Sequence, residues 1–145
     1  MRRIVHQKMA IVSVGMLALG SIALTTSASA ATTKTPGCGT VKTSVVKSAL
    51  GGSPKGPKSV SGICEYGTVS IAYVQQTLAD MQSTLSANKA TVVPGLGSYA
   101  YTAKISKPKG TLLAVLDNGY EIIITSPKAT LAQEENLANK IISLV

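Results

Sequence analysis

Phenylalanine and tryptophan are absent from these 145 residues, and five tyrosines supply every aromatic ring. Arginine occurs only as Arg2 and Arg3, and the single histidine is His6. Past residue 30 the chain therefore holds no guanidinium fork, no imidazole and neither Trp nor Phe for stacking. Readers of nucleic acid rely on arginine forks and on aromatic stacking, so the composition argues against that function. Without imidazole, the usual general base and the commonest metal ligand are missing as well. Long apolar runs are scarce too: apart from Met9–Leu24 no stretch approaches the roughly 20 apolar residues of a membrane helix.

The first 30 residues read as a secretory signal peptide. Arg2, Arg3 and Lys8 form a basic start, Met9–Leu24 an apolar run, and Ala28-Ser29-Ala30 a small-residue ending, with cleavage expected after Ala30. The apolar run is broken by Ser13, Gly15, Gly20 and Ser21, which disfavours a retained anchor. The residues around Arg2-Arg3 fit the twin-arginine signal poorly, so the general secretory pathway is the expected route. The expected destination is secretion or association with the cell envelope, with no stable membrane span after cleavage. Residues 31–37 read as a flexible lead and residues 38–145 as one domain.

Two cysteines, Cys38 and Cys64, lie beyond the leader. In a small exported domain such a pair is expected to form a disulfide. Closing a loop of about 26 residues constrains the unfolded chain by roughly 3.5 kcal/mol. A lipid-modified Cys38 is disfavoured, because Thr35-Pro36-Gly37 is no lipobox and lies far past the apolar run. Three of the 14 basic residues lie in the leader, which leaves 11 lysines against six acids, a net charge of +5. That balance suits solubility and attraction to anionic envelope polymers.

Periodicity orders the rest. Thr40 is placed to cap a helix over "VKTSVVKSAL", stopped by Gly51-Gly52. "SPKGPKSVSG" reads as an exposed loop returning to Cys64. In "TVSIAYV", Val69, Ile71 and Tyr73 alternate with polar or small residues as in a half-buried strand. Residues Ile63–Tyr66 are either a separate strand turned back at Gly67 or the start of one long strand bulged there. Thr77-x-x-Asp80 resembles a capping box for a helix reaching about Lys89, with Leu78, Met81 and Leu85 at helical spacing. Asn118-Gly119 sits between "TLLAVLD" and "YEIIIT" and predicts a two-residue hairpin with Asp117 facing Tyr120, Val115 facing Ile122 and Leu113 facing Ile124.

That hairpin is apolar on both sides, and Leu112, Ala114, Leu116 and Ile123 on its second face need cover from helices or from another subunit, a homodimer included. Ser126-Pro127 signals a last helix with Leu137, Ile141 and Leu144 in one stripe, broadened by Ala138 and Ile142. Glu134 and Glu135 read as its solvated face. The predicted class is α+β: a mainly antiparallel sheet of four to five strands, three packed helices and one disulfide.

Chemical motifs are weak. Gly95-Leu96-Gly97-Ser98-Tyr99-Ala100 fits a dinucleotide fingerprint on paper, but such a cradle needs a helix after its glycines and here a strand pattern follows, so a turn is predicted. Ser44-x-x-Lys47 and Ser86-x-x-Lys89 both match the serine/lysine pair of penicillin-recognising enzymes, without the accompanying S-D-N or K-T-G. Nothing pairs the six carboxylates, so no catalytic residue, metal site or cofactor is assigned. Lys55 and Lys58 in one loop, and Lys104, Lys107 and Lys109 around another, form an anion-binding surface if the loops meet; otherwise they keep the loops soluble.

Taken together, "CGTVKTSVVKSALGG", "GICEYGTVSIAYV", "VVPGLGSYAY", "LLAVLDNGYEIIIT" and "LANKIISLV" resemble a group of small secreted or lipid-anchored bacterial envelope proteins of unknown function. Those share a cysteine before a helix ending in Leu-Gly-Gly, a Cys-x-aromatic strand, a V-x-GLG-x-x-A turn, a hairpin and a closing amphipathic helix. The resemblance makes Cys38 and Cys64 the cysteine pair and Gly95, Leu96, Gly97 and Ala100 the central turn. The chain departs from it with Ser98 in place of an aspartate and by lacking a lipid-attachment cysteine. The resemblance carries no activity. The function expected is non-catalytic: binding a protein partner at the envelope or outside the cell, inhibition of a secreted enzyme being a special case. The alternative is lysine-mediated attachment to anionic cell-wall polymers.

Overall fold

The structure, a computed structural model, describes residues 35–106 and 110–145. The predicted signal peptide, residues 31–34 of the lead, and Lys107 and Lys109 lie outside them. Ten elements follow in order: α1 (Thr43–Leu50), β1 (Lys58–Val60), β2 (Ile63–Tyr66), β3 (Val69–Gln75), α2 (Leu78–Asn88), β4 (Thr91–Val92), β5 (Tyr99–Ile105), β6 (Gly110–Asp117), β7 (Tyr120–Thr125) and α3 (Leu131–Ile142). All the strands join one antiparallel sheet in the order β1-β2-β3-β7-β6-β5-β4.

The hairpin at the centre of this sheet has the predicted register. Asn118 and Gly119 take φ 47 and φ 80, the left-handed pair a two-residue turn requires, and Asp117, Val115 and Leu113 stand opposite Tyr120, Ile122 and Ile124. Alternation then sorts side chains onto two faces. On the first, Tyr66, Ile71, Leu113, Val115, Ile122 and Ile124 are buried beneath α1 and α3. On the second, Tyr101, Ala103, Ala114 and Leu116 are buried with Met81 of α2. Helices therefore cover both sides of the doubly apolar hairpin.

The sheet has seven strands, not the four to five expected. The extra ones are the short edges β1 and β4, whose five residues are all exposed. Alternating hydrophobicity marks strands that bury one face, and these bury neither, so periodicity could not reveal them. Part of the predicted loop "SPKGPKSVSG" is thus strand β1. Ile63–Tyr66 is a separate strand, folded back at Gly67 with φ 79.

Helix starts also differ from expectation. The Thr40 hydroxyl accepts a hydrogen bond from the Gly37 amide at 2.9 Å, which closes a turn at the level of Cys38 and leaves α1 to begin later without a side-chain cap. Ser126-Pro127 opens a turn, with the Ala129 amide donating to the Ser126 carbonyl at 3.2 Å. The cap of α3 is Thr130, which exchanges side-chain and backbone hydrogen bonds with Gln133. This reciprocal box satisfies two orphaned amides at once, which Ser126 cannot do because the residue three along is Ala129, without a side-chain acceptor. The predicted Thr77–Asp80 box is present on α2.

Cys38 and Cys64 are bonded, which pins the segment before α1 to β2. Tyr66 reinforces the tie: its buried hydroxyl donates to the Val41 carbonyl at 2.7 Å.

Candidate functional site

The second face of the sheet is covered over only part of its width. Helix α2 packs on the half built from β5 and β6, where Met81, Tyr101 and Ala114 are buried. Of the four interface residues expected from the sequence, Ala114 and Leu116 lie beneath this helix, while Leu112 and Ile123 pack at its margin and are half-buried.

Among the described residues no helix covers the other half, carried by β1, β2 and β3. Register places Val60 opposite Ile63, Ile63 opposite Ala72, and Ala72 opposite Ile123, so these four side chains form a row across the sheet, and Val74 stands two residues along from Ala72. Val60, Ile63 and Val74 are 46%, 40% and 40% exposed. Monomeric soluble proteins rarely leave large contiguous apolar patches in water. The charged residues on the same face are Lys58 and Glu65, opposite each other on β1 and β2, and Glu121 on β7. Glu121 is 4% exposed and takes a hydrogen bond from the Tyr101 hydroxyl at 3.1 Å. Burial raises its pKa, and that hydrogen bond draws it part of the way back.

The "GLG" segment is a turn running into strand β5, as its neighbours predict. Gly95 and Gly97 have φ 78 and φ 56, and Leu96 is buried in the first-face core. A Cβ on Gly97 would stand 2.7 Å from both the Leu116 carbonyl oxygen and Val115 Cγ1. Glycine is required there for close backbone approach, while Ala100 is buried opposite Val115.

Of the lysines, Lys55 and Lys58 lie beside the β1 edge and Lys104 on β5, next to the far edge. Five strand spacings separate β1 from β5, about 24 Å. Lys107 and Lys109 are outside the described residues. The carboxylates do not converge: among the described residues no group of three His, Cys, Asp or Glu side chains is placed to hold a metal ion. Ser44 and Lys47 are exposed on α1, and the Ser86 hydroxyl donates to the Gln82 carbonyl.

One residue the sequence reading placed in solvent is in the core. Glu134 is 0% exposed and neither carboxylate oxygen has a hydrogen-bond partner. Burial pushes its pKa up to about 7, and the Ser126 backbone amide nearby opposes this in part. Close by, Ser126 lines a cleft of about 290 Å³ between the end of α1, the β2–β3 turn and the β7–α3 connection.

Comparison with protein-family models, with curated proteins and with solved structures finds no match.

Proposed function

We propose that this is a non-catalytic exported protein that binds a protein partner at the cell envelope or outside the cell through the bare half of its sheet. The observation that carries the reading is that Val60, Ile63 and Val74 stay exposed, with half-buried Ala72 and Ile123 leading from them to the margin of α2, while the same face is sealed under α2 a few strands away. A disulfide suits an oxidising compartment, in keeping with export. Lys58 on this face and Lys55 beside it, in a chain whose 11 lysines past residue 30 outnumber its six acids, favour a partner whose apolar contact is rimmed by acids. Resemblance to small envelope proteins points to the same location.

The test is capture from the native secreted and envelope fractions, followed by titration with the purified partner. The Ile63→Ser, Val74→Ser double variant alters exposed positions only and is expected to fold yet bind at least about tenfold more weakly, as for loss of a small hot spot. Undiminished affinity of that variant would reject this surface. Light scattering on the isolated protein decides the remaining occupant: a dimer that the same substitutions dissolve would make the partner a second copy.

A further inference from the structure

We infer a second binding site, for the phosphate groups of an anionic polymer, in the hollow at the β4–β5–β6 end of the sheet. This hollow, of about 530 Å³, is lined by Lys89, Thr91, Thr102, Ala103, Lys104 and Thr111. Register explains the gathering. Thr91 stands opposite Thr102, and Lys104, two residues along on the same face, stands opposite Thr111. Three neighbouring strands thus present three hydroxyls and an ammonium to one side. Lys89 adds a second ammonium from the C-cap of α2, in a left-handed conformation with φ 49, where glycine or asparagine is usual.

The donors are unclaimed. Among the described residues no carboxylate lines the hollow, neither lysine is ion-paired, and the three threonine hydroxyls have no hydrogen-bond partner. Hydroxyls and ammonium groups that converge without an acceptor are complementary to an oxyanion. The donor geometry favours a tetrahedral anion. A planar carboxylate is best matched by the flat fork of arginine, which is absent, whereas lysines act as point charges and hydroxyls turn to meet oxygens from several directions. With Ala103 as the only apolar lining residue among the described residues, the hollow offers little surface to bury a small organic molecule, so a polymer repeating the anion is the fitting ligand. The site lies across the sheet from Lys55 and Lys58 and does not depend on the bare apolar face.

The test is titration of the purified protein at low and moderate salt with poly(glycerol phosphate), with polygalacturonate as a carboxylate polymer, and with inorganic phosphate. Binding to the phosphate polymer is expected to exceed binding to the carboxylate polymer and to fall as salt rises. Thr102→Val removes one hydroxyl, keeps the shape and the strand preference, and is expected to weaken binding about tenfold, as for loss of a hydrogen bond to a charged group. Lys89→Gln with Lys104→Gln is expected to weaken it further. The control Lys42→Gln with Lys47→Gln removes the same charge from α1. Equal loss in the control, an unaffected Thr102→Val variant whose melting temperature matches the parent, or equal affinity for polygalacturonate would each overturn the proposal. Polymer binding with no measurable affinity for inorganic phosphate supports it, since recognition is then multivalent.

Discussion

Tyr101 and Glu121, on strands separated by β6, meet on the second face of the sheet, the tyrosine hydroxyl donating to the carboxylate at 3.1 Å in a buried setting. The pair settles a conflict in the sequence, since Glu121 is the one acid among the hairpin's apolar second-face residues. Its cost of burial is offset by a donor delivered from two strands away. Burial first, and then the neighbouring carboxylate, push the tyrosine pKa up to about 12, so it remains a donor throughout the neutral range.

Removing that donor is the first prediction. Tyr101→Phe keeps the ring and leaves a buried carboxylate unpaired, so it is expected to destabilise the fold by about 1–3 kcal/mol at pH 7. Glu121→Gln, which keeps an acceptor and removes the charge, is expected to cost less. Because the folded pKa of Glu121 is raised, its contribution is full below the unfolded value and is lost as pH rises through the folded one. The Tyr101→Phe deficit should therefore shrink on acidification below the carboxylate range. Urea denaturation at pH 4 and pH 7 checks this, and a deficit independent of pH would rule out the pairing.

The second prediction separates two glycines of one turn. Gly95 at φ 78 has open space around its would-be Cβ, whereas Gly97 at φ 56 faces the Leu116 carbonyl and Val115 Cγ1 at 2.7 Å. Gly95→Ala is expected to cost about 1–2 kcal/mol, the penalty of a left-handed alanine. Gly97→Ala adds a collision with backbone that cannot swing aside, and is expected to cost at least about 2 kcal/mol more. Equal melting temperatures for the two variants would mean that the strand β6 backbone does not hold this approach.

What the sequence made legible was local. Asn118-Gly119, the Thr77–Asp80 box, the glycine turn and the cysteine pair each encode their geometry within a few residues, or by chemistry with one outcome. The edge strands had a local signal as well, since Ser61-Gly62 takes φ 49 and φ 81, as Asn118-Gly119 does, and joins β1 to β2. Its flanking Lys/Pro/Gly composition read as loop, because an edge strand needs only backbone partners and leaves no apolar imprint. Depth of cover was illegible: that α2 spans β5 and β6 and stops short of β3 depends on the β3–α2 connection, which no periodicity describes. Burial of Glu134 was legible in hindsight. It precedes Leu137, Ala138 and Ile141 by three, four and seven residues, the spacing of a single helix face. Reading it with Glu135 as a charged pair obscured that position.

Glu134 carries the last prediction. Its carboxyl is 0% exposed, lacks a hydrogen-bond partner and has a pKa raised from 4.5 to about 7, burial being the main cause. In the unfolded chain the group ionises near 4.5, while in the folded chain it keeps its proton until about pH 7. Between those values the unfolded state releases a proton that the folded state retains, so stability falls as pH rises and levels off above about 7. The full loss is on the order of 3 kcal/mol. Glu134→Gln removes the ionisation, and Glu134→Met also removes the unsatisfied polar atoms at similar length. Both are expected to match the parent within about 1 kcal/mol at pH 4 and to exceed it by about 2 kcal/mol or more at pH 8, the methionine by the larger margin. Because Glu121 titrates in all three proteins, the difference between variant and parent isolates Glu134. Parallel stability curves from pH 4 to pH 8 would show that its carboxyl reaches water in the folded protein.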